Sequence, residues 1–357
     1  MITGLGSARD LAQGKKGAFY NTLEEFHKYW DRIDIIVPRV HGVDSTELFG
    51  NIHLHVSSWP LIFHPMFFIK KGVNLHKKHH FDVITVQDFA PFYNGFGAFI
   101  LWLCIKVPYI LEFHHITGYP KPANLKEWLY RVYAQMFVAL DAWAAKAVRV
   151  VNQHQTKEFL IKAGVPEAKI KYIPSLYIDH TVFKPSNEPK VYDLIFVGRL
   201  AKNKGIELCI DSAKKLGLKT LIVGDGPEKE FVQKSIQGFD NIILHGWAKD
   251  SEEIAGLLNQ SRLFILTSYN EGGPRVVAEA MACGVPVLAT PVGIVPDFKD
   301  ACTIIDWNVS DIVQKAKILL DDDNLYQTKS KLGLKIVEQF QKELAVKNYA
   351  QNVADLI

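Results

Sequence analysis

The sequence predicts an α/β protein built as two Rossmann-like, doubly wound parallel-sheet domains facing an interdomain cleft. Three observations carry that expectation. From residue 192 onward, short apolar runs alternate regularly with helix-period segments. The first half repeats the alternation less cleanly. Between them lies a stretch rich in turn formers, with Pro174, Pro185, Asn187 and Pro189. Apolar runs without a polar face are what a parallel sheet covered on both sides requires.

Taken in order, the strand-like runs of the first half are 33–37, 53–57, 83–86, 109–113 and 147–151. In the second half, strand 193–197 is followed by helix 204–216, strand 220–223, helix 228–236 and strand 242–244. Helix 251–259, strand 263–267, helix 275–282 and strand 286–289 complete the series. This order predicts a first domain over 1–178, a second over 190–337, and a terminal helix within 338–357 that packs back on the first. The longest apolar run, 95–104, falls well short of the roughly 20 residues that span a bilayer and predicts a buried helix.

At 357 residues, with 48% hydrophobic and 22% charged, the chain has material for two ordinary cores, which excludes disordered and fibrous classes. Cys104, Cys209, Cys283 and Cys302 are too scattered for a disulfide framework or a zinc site and suit a reducing cytosol. No basic, apolar leader follows Met1, so a cytoplasmic protein is expected. The net charge of +3 is modest and points to no nucleic-acid partner. Its distribution is uneven: residues 1–175 hold 20 Lys+Arg against 14 Asp+Glu, and the remainder 21 against 24.

The N-terminal Gly4, Gly6 and Arg9 imitate a dinucleotide fingerprint, but Arg9 occupies the third glycine position, and the segment reads instead as a loop over the cleft. A better signal follows the strand ending at Val197. Gly198 permits close backbone approach, Arg199 offers a planar fork, and Lys204 offers a point charge, a pair suited to a diphosphate at the carboxyl end of a sheet. After the strand ending near Thr267 come Glu271, Gly272, Gly273, Pro274, Arg275 and Val276, then Glu279 on a helix. The two glycines free the backbone, Pro274 suits the first helical position, and the unpaired amides of the helix start favour an anion. Glu271 and Glu279 fall roughly 10 Å apart at 1.5 Å rise per residue, a span for the two ends of one ligand rather than a metal pair.

These residues carry a resemblance. The turn from Gly198 to Gly205, the loop of Gly224, Asp225, Gly226 and Pro227, and the two glutamates eight positions apart resemble the retaining GT-B glycosyltransferases of family 4. The resemblance is strong over 192–300 and weaker, but continuous, across the first half. It implies transfer of a hexose-type sugar from a UDP- or GDP-sugar to a glycan, lipid-linked or small-molecule acceptor. By that resemblance, Arg199 and Lys204 hold the donor diphosphate and Glu279 the ribose. Glu271, with the backbone of Gly272 and Gly273, holds the sugar. Gly198, Gly224, Pro274, Arg275 and Val276 approach the donor, and Trp247 borders the base. On the acceptor side, Gly17 lies in a glycine loop, and His114, favoured over His115, ends the strand 109–113. No cofactor or metal is required, because Arg199, Lys204 and the helix start can neutralise the leaving diphosphate.

The stretch 59–80 runs from aromatic and aliphatic residues into Lys70, Lys71, Lys77 and Lys78, and an anionic membrane surface is a candidate partner for it, alongside an ordinary amphipathic helix with a basic end. The acidic run Asp321, Asp322, Asp323 reads as a surface turn between helices. Two other functions share the pattern: a nucleotide-sugar 2-epimerase of the same architecture and a non-catalytic sugar-nucleotide-binding protein.

Overall fold

The computed structural model describes residues 1–3, 7–14, 18–43, 45–89 and 93–356. The chain forms two compact units. The first comprises Met1–Ile116, Tyr130–Ser175 and Lys342–Ile357, and the second Thr117–Leu129 and Leu176–Gln341. This differs from a division into 1–178 and 190–337 in two places. Thr117–Leu129 groups with the second unit. The proline-marked stretch is not a free linker either, because Leu176, Ile178 and Phe183 are buried in the second unit's core. Asn259 holds the stretch there, accepting from the Ser186 amide (2.9 Å) and donating to the Lys184 carbonyl (3.0 Å).

In the first unit, α1 (Ser7–Ala12) and α2 (Ala18–Phe26) precede β1 (Ile33–Val37), β2 (Thr46–Leu48) and β3 (Ile52–Val56). Then come α3 (His64–His79), β4 (Ile84–Gln87), α4 (Tyr93–Ile105), β5 (Tyr109–Phe113), α5 (Leu125–Asp141, which enters this unit at Tyr130), β6 (Ala147–Val150), α6 (Glu158–Lys162) and β7 (Ile170–Tyr172). Strands pair in the orders β2-β3-β1 and β4-β5-β6-β7, all parallel except β2. Ile2 joins the two sets by parallel bridges to Ile36 and Val86. The segment expected as a loop at residues 4–9 lies partly outside the described residues. Its continuation is helix α1, because Ala8, Leu11 and Ala12 are buried in the first core.

The second unit contains β8 (Tyr192–Val197), α7 (Ile206–Leu216), β9 (Thr220–Val223), α8 (Lys229–Ser235), β10 (Ile242–Gly246), α9 (Ser251–Asn259) and β11 (Ser261–Leu266). It continues through α10 (Arg275–Ala282), β12 (Val287–Ala289), β13 (Cys302–Ile304), α11 (Val309–Asp321) and α12 (Asp323–Val337). Its six strands are all parallel in the order β10-β9-β8-β11-β12-β13. Buried β-branched and leucine side chains cover both faces of β8, β9 and β11. The strand order reverses between β8 and β11, the switch point at which open α/β sheets bind ligands beyond their carboxyl ends.

The chain ends in α13 (Lys342–Ala354), which belongs to the first unit. A buried polar network fastens it there. Glu112 on β5 accepts from Arg149 Nη1 on β6 (2.9 Å) and from the Tyr349 hydroxyl on α13 (2.6 Å). Arg149 also donates to the Ile173 carbonyl (3.0 Å), and its guanidinium lies 3.8 Å over the Tyr349 ring. Burial alone would raise the Glu112 carboxyl, but Arg149, His114 and Tyr349 outweigh it and hold it well below the usual carboxylate range.

A second buried set behaves oppositely. Asp88, after β4, and Asp141, ending α5, both flank Gly95: a Cβ on that glycine would lie 2.8 Å from Asp88 Oδ2 and 2.6 Å from Asp141 Cβ. Burial raises both carboxyls, that of Asp141 to about 7, and each charge would repel the other. An acid raised in the folded state contributes fully below its unfolded value, near pH 4, and loses that contribution as pH climbs through about 7. Buried His64, pushed down to about 4, acts in the other direction, so the informative quantity is a difference between proteins. Urea unfolding should show Asp141→Asn gaining on the wild type between pH 5 and pH 8, by on the order of 2 kcal/mol.

Candidate functional site

At the switch point the loops after β8, β9, β11 and β12 pack backbone against backbone. Gly224 has φ +146°, and a Cβ there would stand 1.9 Å from the Gly198 carbonyl oxygen. On Gly226 it would meet the Leu200 oxygen at 2.4 Å, on Gly205 the Thr267 oxygen at 2.3 Å, and on Gly293 the Gly272 oxygen at 2.2 Å. Only glycine fits such approaches. Amide bonds lock the same loops: Gly198 donates to Val223 (3.0 Å), Leu200 to Asp225 (2.9 Å) and Gly224 to Gly246 (2.7 Å).

The locked loops bring Lys204 and Glu271 together. The Lys204 ammonium donates to Glu271 Oε1, and both side chains are largely shielded from solvent. The Ser268 hydroxyl donates to the same oxygen (2.9 Å). Lys204 is therefore an ion-paired cation rather than a free point charge, while Arg199 is exposed. The floor beneath Glu271 is rigid. The Ser268 carbonyl accepts from Thr290 Oγ1 (2.7 Å) and Trp307 Nε1 (2.9 Å), and Asn270 donates to the Lys121 carbonyl (3.0 Å) and to Glu127 (2.8 Å). Tyr269 anchors a further side, donating its hydroxyl to Glu207 (2.6 Å).

Beyond Glu271 the chain opens. Gly272 is buried, but Gly273 is exposed, with nothing within 4 Å of the place a Cβ would take. Pro274 is the residue before the helix, with ψ 96°, and not its first residue as the sequence suggested. It has no side chain to cap the amides of α10, so the positive end of the helix dipole is left uncapped. Glu279, the fifth residue of α10, is partly buried. Burial pushes its carboxyl up to about 7, against the opposing pull of Arg275 one turn earlier. The Arg275 guanidinium itself lies 4.3 Å over the Tyr177 ring. Val276 is partly exposed beside it.

Trp247 follows β10 and is 73% exposed, on a turn tied to Gly224 through the Gly246 carbonyl. His114 belongs to the first unit, where its Nε2 lies 3.7 Å from Glu112 Oε2. Gly17 lies outside the described residues.

Residues 178–333 match the family model described as glycosyl transferases group 1. Over these residues the chain is similar to glycosyl transferases group 1. The sulfoquinovosyl transferase of Arabidopsis thaliana is 24% identical over 353 residues, covering 92% of this chain and 67% of its own. Two other curated relatives are matched over only 45% and 32% of their own length. Among solved structures, a sucrose-phosphate synthase from Thermosynechococcus elongatus superposes with TM-score 0.78 at 19% identity, covering 95% of this chain and 92% of that one. HepE of Anabaena, solved with UDP-glucose, superposes with TM-score 0.73 at 17% identity, covering 99% and 98%. The two-domain α/β fold expected from the sequence is thus the fold observed, and the likenesses support a glycosyltransferase of GT-B type.

Sequence reading missed several residues that build the candidate site: Ser268, Tyr269, Thr290, Gly293 and Trp307. Gly293 had a readable signal, a glycine soon after a strand with Pro291 before it. Tyr269, Thr290 and Trp307 had none, because their bonds to Glu207 and to the Ser268 carbonyl form between segments distant in sequence. Gly224→Ala should cost about 3 kcal/mol or more of stability, since a Cβ must displace backbone at a φ that alanine resists. Gly273→Ala, facing open space, should stay within about 0.5 kcal/mol in the same urea titration.

Proposed function

We propose that this protein is a retaining GT-B glycosyltransferase of family 4 that moves a hexose-type sugar from a nucleotide diphosphate sugar to a hydroxyl acceptor such as a glycan or lipid-linked glycan. The observation that carries the proposal is the convergence of Lys204, Glu271 and the uncapped start of α10 at the switch point of the second sheet. Donor binding by the second unit is further supported by the group 1 family match over that unit and by the fold shared with HepE, which binds UDP-glucose.

On this reading the donor diphosphate lies against the amino end of α10, with Lys204 and Arg199 beside it. Glu271 accepts hydrogen bonds from the sugar hydroxyls, and Glu279 accepts them from the ribose. Hydroxyl donors stabilise the charged form of Glu279 that burial disfavours. As the bond to the diphosphate breaks, negative charge grows on the leaving phosphate, and cations aimed there stabilise the transition state more than the ground state. A donor phosphate oxygen takes the acceptor proton, and Glu271 positions the sugar without bonding to it. His114 and Gly17 serve the acceptor. The chemistry needs no metal.

Thermal-shift screening against UDP, GDP and their common sugar conjugates should reveal stabilisation by one nucleotide class, lost in Arg199→Ala and Glu279→Ala. With a matched donor and acceptor, Lys204→Ala should slow transfer about a hundredfold, or roughly 3 kcal/mol in the barrier. A folded wild type that responds to none of these ligands contradicts the proposal.

A further inference from the structure

Helices α3, α4 and α5 of the first unit form one packed layer. The crossovers that contain them all step in the same direction along the sheet, and right-handed connections of one direction fall on one face. Their contacts are close. A Cβ on Gly97 of α4 would meet the Phe68 ring of α3 at 2.3 Å, and the Phe99 and Trp143 rings meet edge-on at 5.9 Å.

The outward side of this layer is apolar. In α5, Ala134, Val138 and Asp141 are buried and mark the inner side. The opposite side repeats the helical period with Met136, Leu140 and, just beyond the helix, Trp143, which are 64%, 68% and 69% exposed. Helix α4 has no charged residue in its 13 positions, yet Phe96 and Leu103, two turns apart, are exposed. It is therefore not the fully buried helix its apolar run predicted. At the start of α3, Ile62 is 80% exposed and Met66 60%. Of 14 large exposed apolar side chains among the described residues of the first unit, 11 lie on this layer. A patch of this kind marks an interaction surface.

The exposed charge on α3, after α4 and after Trp143 is mostly positive. Lys70, Lys77 and Lys78 on α3, Lys106 after α4 and Lys146 after Trp143 are all exposed. Lys106 Nζ lies 4.5 Å over the Trp102 ring, its stem laid along apolar surface. Across 61–106 and 130–146, Asp82 is the one exposed carboxylate among the described residues, since Asp88 and Asp141 are buried.

We propose that this layer docks the protein on an anionic lipid bilayer, with the outer side chains of α4 and α5 in the interfacial region and the lysines on lipid phosphates. Apolar side chains rimmed by lysine, tryptophan among them, match the boundary between acyl chains and anionic headgroups. A second copy docking through the same face would set lysine against lysine, which disfavours that occupant. The sequence placed membrane contact on 59–80. Within that stretch Phe68 and Leu75 are buried while Ile62, Phe63 and Met66 are exposed, and the proposal adds the outer side chains of α4 and α5 to them. The proposal concerns a surface of the first unit and stands independently of the transfer chemistry.

Co-sedimentation of the full chain with vesicles tests it. Binding should be strong to equal parts phosphatidylcholine and phosphatidylglycerol, weak to phosphatidylcholine alone, and weakened about tenfold or more by Met136→Glu with Leu140→Glu. Both positions are exposed, so the double variant should unfold at the wild-type midpoint. If it does not, quenching of Trp143 by brominated lipid, absent in Trp143→Phe, gives the same answer. No binding to anionic vesicles, or binding indifferent to these substitutions, overturns the proposal. A wild-type dimer made monomeric by the double variant would assign the face to a second copy and also overturn it.

Discussion

The carboxyl edge of the second sheet depends on four places where one loop backbone meets another with no room for a side chain. Gly205, Gly224, Gly226 and Gly293 each stand so near a neighbouring carbonyl that a Cβ would overlap it. These contacts fix the loops after β8, β9, β11 and β12 relative to one another. Lys204 and Glu271, 67 residues apart, can then meet as a pair without ordering a flexible loop on each occasion.

Charge is distributed over that frame with economy. The Lys204 and Glu271 charges pair with each other, and the amino end of α10 is a positive feature that Pro274 does not cap. Glu279 sits one and a half turns into the same helix with its carboxyl held near 7 by burial. A diphosphate has reason to settle at the helix start, and hydroxyl donors have reason to settle on Glu279. The first unit solves a different problem with the same tools. Glu112, Arg149 and Tyr349 satisfy one another inside the core and tie the last helix to its sheet, which is where a buried charge belongs if it is to be retained.

Much of the fold was legible because strands covered on both faces leave uninterrupted apolar runs, and β1, β5, β8 and β9 fall almost where those runs do. The short edge strands β2, β7 and β13, three residues each, leave too little pattern to read. The prolines near residue 185 suggested a linker, yet Leu176, Ile178 and Phe183 among them find a core that local propensity does not reveal. In the candidate site, glycines and charged residues following strands could be read from their positions. The pairing of Lys204 with Glu271 and the return of Thr117–Leu129 to the second unit could not, since each is a contact across distant sequence. The outward stripe of α5 has the same helical period as an inward one, so sequence alone does not say which face meets solvent.

The most direct test is calorimetric titration of the folded wild type and Lys204→Ala with UDP and with GDP. The account predicts saturable, one-site binding of one nucleoside diphosphate to the wild type, weakened in the variant by about tenfold or more, which is roughly 1.4 kcal/mol. Equal affinity in the two proteins, or no binding of either nucleotide by the wild type, would contradict it.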